Sequence, residues 1–177
     1  IYFFRRKRIR ILGDARSLLV ISVIFIIFLV GARLSIPNRT VMPYLYPLPA
    51  AGLLLTTLFG TEIALIFSLI LSILAAYGLP NSLDLMPYYL ISSLFGLLAL
   101  GPARRFWSFV LAGISTTVAG IALILAYRIP FFSTDWLGII QLAGAAAGMG
   151  FLSSGIALLG QYSFAQILGI ATALQLL

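Results

Sequence analysis

Apolar residues run through this chain in blocks too long for any amphipathic period, interrupted only by short polar or proline-bearing segments. From about Ser17 to Ile36 the run is almost unbroken, and Val20–Val30 is mostly β-branched and aromatic. In water such a stretch would suggest a buried strand, but its length makes it a membrane helix. Pro37-Asn38 ends it. The next block, roughly Val41–Leu79, is too long for one crossing and reads as a hairpin around Gly60-Thr61-Glu62, its one polar break. Thr61 can N-cap the second arm, and Glu62 in its first turn suits the positive end of the helix dipole. The pattern predicts spans at about 17–36, 42–59, 62–79, 86–101, 107–127 and 136–159. Before them, Ile1-Tyr-Phe-Phe4 stops abruptly at Arg5, like the tail of a preceding membrane helix. A secretory signal would place its charges ahead of the apolar stretch, the reverse order. The expected organisation is therefore a stub at 1–4, a basic loop at 5–16, a six-helix transmembrane bundle at 17–160 and a departing helix at 161–177. The fold class is all-α: a polytopic membrane bundle of six full transmembrane helices plus the N-terminal stub of a seventh.

Composition agrees and narrows the chemistry. Of 177 residues, 62% are hydrophobic and 8% charged, where a soluble domain carries about 25% charge. The chain has neither cysteine nor histidine, and its four carboxylates are Asp14, Glu62, Asp84 and Asp135. Thiol and histidine catalysis, disulfides and most metal sites are excluded on that ground. No catalytic residue, cofactor or metal site is expected within these residues.

The net charge of +7 would suggest nucleic acid until the charges are placed. Arg5, Arg6, Lys7, Arg8, Arg10 and Arg16 crowd the loop before the first full span. Basic clusters beside a span are topology signals, so no nucleic-acid partner is inferred. Alternating the spans puts Arg104 and Arg105 on the same side, eight of the eleven basic residues in all, against Arg33, Arg39 and Arg128 on the other. The positive-inside rule makes the richer side, with the C-terminus, cytoplasmic.

Nothing charged falls at a predicted midplane, which argues against proton relays, ion coupling and voltage sensing. The polar residues inside the spans are mostly hydroxyls, among them Thr56, Ser68, Ser92, Thr117 and Ser153. Gln141 is the one amide well inside a span, and it is expected to bond a neighbouring helix. Gly144 and Gly148 make a small-xxx-small step, repeated by Gly150 and Ser154, and are expected to pack helices closely. Asp84 and Asp135 are expected to pair at the surface with Arg33, Arg39 or Arg128. Pro43, Pro47 and Pro49 crowd the second span, where prolines remove backbone donors. Two readings stay open: an interfacial lead-in with Tyr44 and Tyr46 in the aromatic belt, or a broken helix forming a ligand site or hinge.

Beyond the last span, Phe164, Ile167, Leu168 and Ala171 form one stripe, with Gln161, Gln166 and Gln175 mostly off it, and the pattern stops at Leu176-Leu177 without a cap. A further domain is expected to follow. The stretch Tyr44-Leu-Tyr-Pro-Leu-Pro-Ala-Ala-Gly-Leu-Leu-Leu-Thr-Thr-Leu-Phe-Gly60, followed by Glu62-Ile-Ala-Leu65, resembles the membrane region of bacterial seven-transmembrane receptors with an intracellular HD phosphohydrolase domain. The closing Gly169-Ile-Ala-Thr-Ala-Leu-Gln-Leu-Leu177 is similar to that family's exit helix. The resemblance implies the bacterial cytoplasmic (inner) membrane, an extracytoplasmic sensor domain before residue 1 and a cytoplasmic HD domain after Leu177. It also implies hydrolysis of cyclic di-AMP by that domain, with a divalent metal held there and not in this chain. One departure is Gly160-Gln-Tyr-Ser163, where the resemblance implies a proline and a glutamate. The leading expectation is a signal-transmitting membrane domain. Its rivals are a substrate-binding membrane subunit of a vitamin-type uptake transporter, and an anchor that holds its flanking domains as a homodimer.

Overall fold

A computed structural model describes residues 15–37, 39–79, 82–101, 106–128 and 136–168. The stub at 1–4, Arg5 through Arg10, Arg104, Arg105 and the exit segment from Gly169 lie outside the described residues. The described chain forms helices α1 (Ala15–Ser35), α2 (Met42–Leu45), α3 (Pro49–Phe59), α4 (Thr61–Ala76), α5 (Ser82–Leu100), α6 (Phe106–Arg128) and α7 (Trp136–Leu168), with no strand among the described residues. Ala15–Ser35, Met42–Phe59, Leu83–Leu100, Phe106–Arg128 and Trp136–Phe164 are each long and apolar enough to cross a bilayer. The result is the all-α polytopic bundle that the apolar blocks require.

Several boundaries follow local chemistry more closely than hydropathy. The first residue of α4 is Thr61 itself; Gly60, at φ 99°, takes the cap position and no side chain caps the helix. Thr61 is therefore not the N-cap, although Glu62 does sit in the first turn. The same helix ends at Ala76, short of Leu79, because the chain leaves helical geometry at Tyr77 and Gly78 turns at φ 75°. Its 16 residues cover only about 24 Å. Helix α5 begins at Ser82, a turn ahead of the predicted 86, with Asp84 in its first turn and Pro87 inside it. That proline removes only the donor for the Leu83 carbonyl, and Leu83 sits exposed at the helix end.

The centre of the bundle is α3. Every residue from Pro49 to Thr56 is buried, and 61% of the Met42–Phe59 stretch is buried against 33–44% of the other four long stretches. Around it stand α4, α5 and α7, with α6 packed between α5 and α7, and α1 touching the assembly more lightly.

Lipid is as apolar as leucine, so the helices must associate through close fit. The fit is made by glycines that receive a hydroxyl from the facing helix. Ser68 of α4 occupies the space a Cβ on Gly52 would need, Thr116 of α6 does so at Gly96 of α5, and Thr117 of α6 does so at Gly150 of α7. A Cβ on Gly113 would likewise lie 2.8 Å from the Ser154 hydroxyl. Several hydroxyls also bond back along their own helix, as Thr56 does to the Gly52 carbonyl at 2.9 Å and Thr116 to the Ala112 carbonyl at 2.8 Å.

Of the four expected packing positions, Gly148, Gly150 and Ser154 lie in helix contacts, and Gly144 does not: a Cβ there meets nothing within 4 Å. Gly150→Ala, whose methyl would press on the Gly113 carbonyl and Thr117, should destabilise the bundle by about 2 kcal/mol. Gly144→Ala should leave it unchanged or stabilise it by up to about 1 kcal/mol through helix propensity. Unfolding of both variants in mixed detergent micelles checks the contrast.

Candidate functional site

The central helix is broken at its start, and sequence chemistry explains why. Residue 47 is proline, so the Pro43 carbonyl of α2 has no N–H four residues on to accept from. The residue before a proline is pushed out of helical geometry, and Tyr46 accordingly sits at φ −63°, ψ 123°. With the chain turned there, the Leu48 N–H bonds back to the Tyr46 carbonyl at 2.8 Å, leaving the Tyr44 carbonyl without its helical donor. Helix resumes at Pro49, which suits a first turn but leaves the Leu45 carbonyl, too, without a helical donor.

Of the carbonyls opened at the break, those of Pro43 and Tyr44 belong to buried residues, and a backbone group buried without a partner costs several kcal/mol. Helix α5 supplies donors to both. The Tyr88 hydroxyl donates to the Tyr44 carbonyl at 2.8 Å, and the Tyr89 hydroxyl donates to the Pro43 carbonyl. Tyr44, Tyr88 and Tyr89 are 6%, 1% and 0% exposed. Their rings stack edge to face, Tyr44 on Tyr88 at 5.1 Å and Tyr88 on Tyr89 at 5.5 Å between centroids. Tyr44 is part of the packed core, and the helix is interrupted between Leu45 and Pro49.

A third tyrosine ties the break to α1. The Tyr46 hydroxyl donates to the Phe28 carbonyl at 2.8 Å, and Gly31 leaves room for it: a Cβ there would lie 2.5 Å from the hydroxyl oxygen. At the same end of the bundle, Arg33 of α1 caps α4, donating to the Tyr77 and Leu74 carbonyls at 2.7 and 2.9 Å. The pairing of Arg33 with Asp84 expected from charge does not form. An arginine offers a fork of donors, and the open carbonyls of a helix C-terminus are good partners for it. Asp84 and Arg128 instead line a small hollow, with room for about one water molecule and partly open to solvent, together with Tyr44, Tyr88 and Tyr127. Asp135 lies outside the described residues.

The broken helix also sits on α7. Leu45, in the last turn of α2, is seated at Gly148, where a Cβ would approach its Cδ1 to 2.6 Å. Further along, Leu54 of α3 is seated at Gly160, 3.0 Å from a Cβ there. Gly160 opens the segment where a proline was implied, yet α7 continues unbroken from Trp136 to Leu168. Its 33 residues measure about 50 Å, against about 30 Å of hydrocarbon. Beyond Gly160, Gln161 is buried and Phe164 packs partly on the core. The buried amide is thus Gln161, while Gln141 faces outward.

The sequence-predicted residues are brought together only in part. Pro43, Pro47 and Pro49 meet at the break, and Gly148 and Gly150 lie along α7. Arg16 is exposed at the start of α1, at the opposite end from Arg33. Sequence reasoning missed Tyr88 and Tyr89, and the signal that could have found them is a pair of phenols placed directly after Pro87 in a membrane helix. A hydroxyl buried there must find a partner.

Compared with known families, residues 1–172 match the family described as 7TM receptor with intracellular HD hydrolase. The chain belongs to that family, and it is a multi-pass membrane protein. No match was found among curated proteins or among solved structures. The fit of Tyr46 against Gly31 can be tested by a double-mutant cycle. Tyr46→Phe and Gly31→Ala should each cost about 1 kcal/mol, and together scarcely more than either alone, because both remove one bond. Additive losses in detergent unfolding would contradict the assignment.

Proposed function

We propose that this chain is the transmembrane signalling domain of a receptor in the bacterial cytoplasmic membrane. An extracytoplasmic sensor domain precedes it, and a cytoplasmic HD-type phosphohydrolase follows it. The family supports the membrane domain and its hydrolase partner. Cyclic di-AMP as the substrate rests on the sequence resemblance, and the cytoplasmic side of Arg16 rests on the charge count. The hydrolase's metal ligands belong to the HD domain, since this chain has no histidine. The uptake-subunit alternative is not carried forward, because the family is one of receptors.

The observation that carries the reading is the double seat of the broken helix on α7, Leu45 at Gly148 and Leu54 at Gly160. A change at the break shifts α3, and α3 bears on the helix that runs on toward the enzyme. Signal transmission needs only that the sensor favour one arrangement of these contacts over another.

The test fixes the first seat. Leu45→Cys with Gly148→Cys, introduced into the parent protein in proteoliposomes, provides a disulfide that oxidation closes. The account expects hydrolysis of cyclic di-AMP, with a rate that differs severalfold between oxidised and reduced protein. Absence of cyclic-dinucleotide hydrolysis, or a rate indifferent to the crosslink, contradicts it.

A further inference from the structure

We infer that Tyr88 and Tyr89 form a latch on the central helix: their hydroxyls stand in for two of the backbone donors missing at the break, and withdrawing them frees α2–α3 to move. The inference deepens the signalling reading and rests on it for its purpose, but not for its geometry.

The carbonyls of Pro43 and Tyr44 are the ones that Pro47 and the turned Leu48 N–H leave open, and they are the ones Tyr89 and Tyr88 engage. Side-chain donors differ from backbone donors in one respect. A helical N–H is fixed to its own chain, whereas a tyrosine hydroxyl on α5 bonds α2 only while α5 and α2 keep their spacing. The break therefore has a closed arrangement with both carbonyls paired and an open one in which they need other donors. For the Tyr44 carbonyl such a donor is within reach, because Tyr44 and Tyr88 line the hollow that opens at this end beside Asp84, Tyr127 and Arg128. Water can take over that carbonyl as the Tyr88 hydroxyl leaves it. The Tyr46 bond to Phe28 and the Leu45 seat at Gly148 then pass the motion to α1 and α7.

Hydrogen exchange of the whole chain in lipid nanodiscs decides the matter. Tyr89→Phe, which keeps the stacked ring, should speed exchange of the amides between residues 44 and 51 about tenfold. Tyr127→Phe, at the rim of the hollow, should not. The decisive variant is Pro47→Ala, which restores an N–H at residue 47 and lifts the proline's bar on helical geometry at Tyr46, so that the chain can close a helical bond to the Pro43 carbonyl. Added to Tyr89→Phe, it should bring exchange back to within about threefold of the parent chain. Wild-type exchange in Tyr89→Phe, or a double variant no slower than Tyr89→Phe alone, overturns the latch. Should Tyr89→Phe fail to assemble, Pro47→Ala alone decides: slower exchange than the parent supports surrogate donors, and equal or faster exchange overturns them. The signalling reading is judged separately, by spin labels at Phe106→Cys and Tyr162→Cys in this cysteine-free chain. Faster exchange with an unmoved label distance keeps the latch and contradicts transmission through α7.

Discussion

A backbone carbonyl packed inside a helix bundle needs a donor, and the architecture of this chain turns on how it meets that demand where its own helix cannot. Prolines at 47 and 49 break the helix at the centre of the bundle. The break persists because α5 presents Tyr88 and Tyr89 at the height of the open carbonyls. At the exposed end of α4, Arg33 from α1 likewise donates to open helix-end carbonyls. In both places a side chain from a neighbouring helix does what a backbone N–H does elsewhere. Helix packing and backbone satisfaction thus become one problem, and moving a helix changes both.

This dependence gives the family assignment a physical content. A receptor domain must hold more than one arrangement of the same helices, and a bundle closed by leucine packing and internal hydrogen bonds alone offers little to switch. Here the most buried helix is also the interrupted one, and it rests at Leu45 and Leu54 on glycines of the longest helix. The hydroxyl-into-glycine contacts between α4 and α3, and between α6 and both α5 and α7, hold the surrounding frame close while the break lies within it.

What the sequence made legible was set by local physics. Apolar blocks and their punctuation located the crossings, and Pro43, Pro47 and Pro49 marked the interruption, because hydropathy and missing donors are properties of single segments. Partners were not legible. Tyr88 lies 44 residues from Tyr44, and its role depends on the register of two helices that no period in the chain records. Gly144 and Gly148 look alike in sequence, yet only Gly148 faces another helix. Gln141 faces outward and Gln161 is buried for the same reason: burial of an amide is decided by which face of α7 meets α3 and α6. Arg33 was one of three arginines matched to the aspartates by charge, because charges are visible in a sequence and open carbonyls are not.

Isotope-edited infrared spectroscopy of the Pro43 carbonyl, labelled in the chain and reconstituted in bilayers, addresses the surrogate donor directly. The account predicts a band at a hydrogen-bonded frequency in the parent chain that moves toward the free-carbonyl position when Tyr89 is replaced by phenylalanine. A band that does not move on that replacement would show that the tyrosine hydroxyl is not the carbonyl's partner.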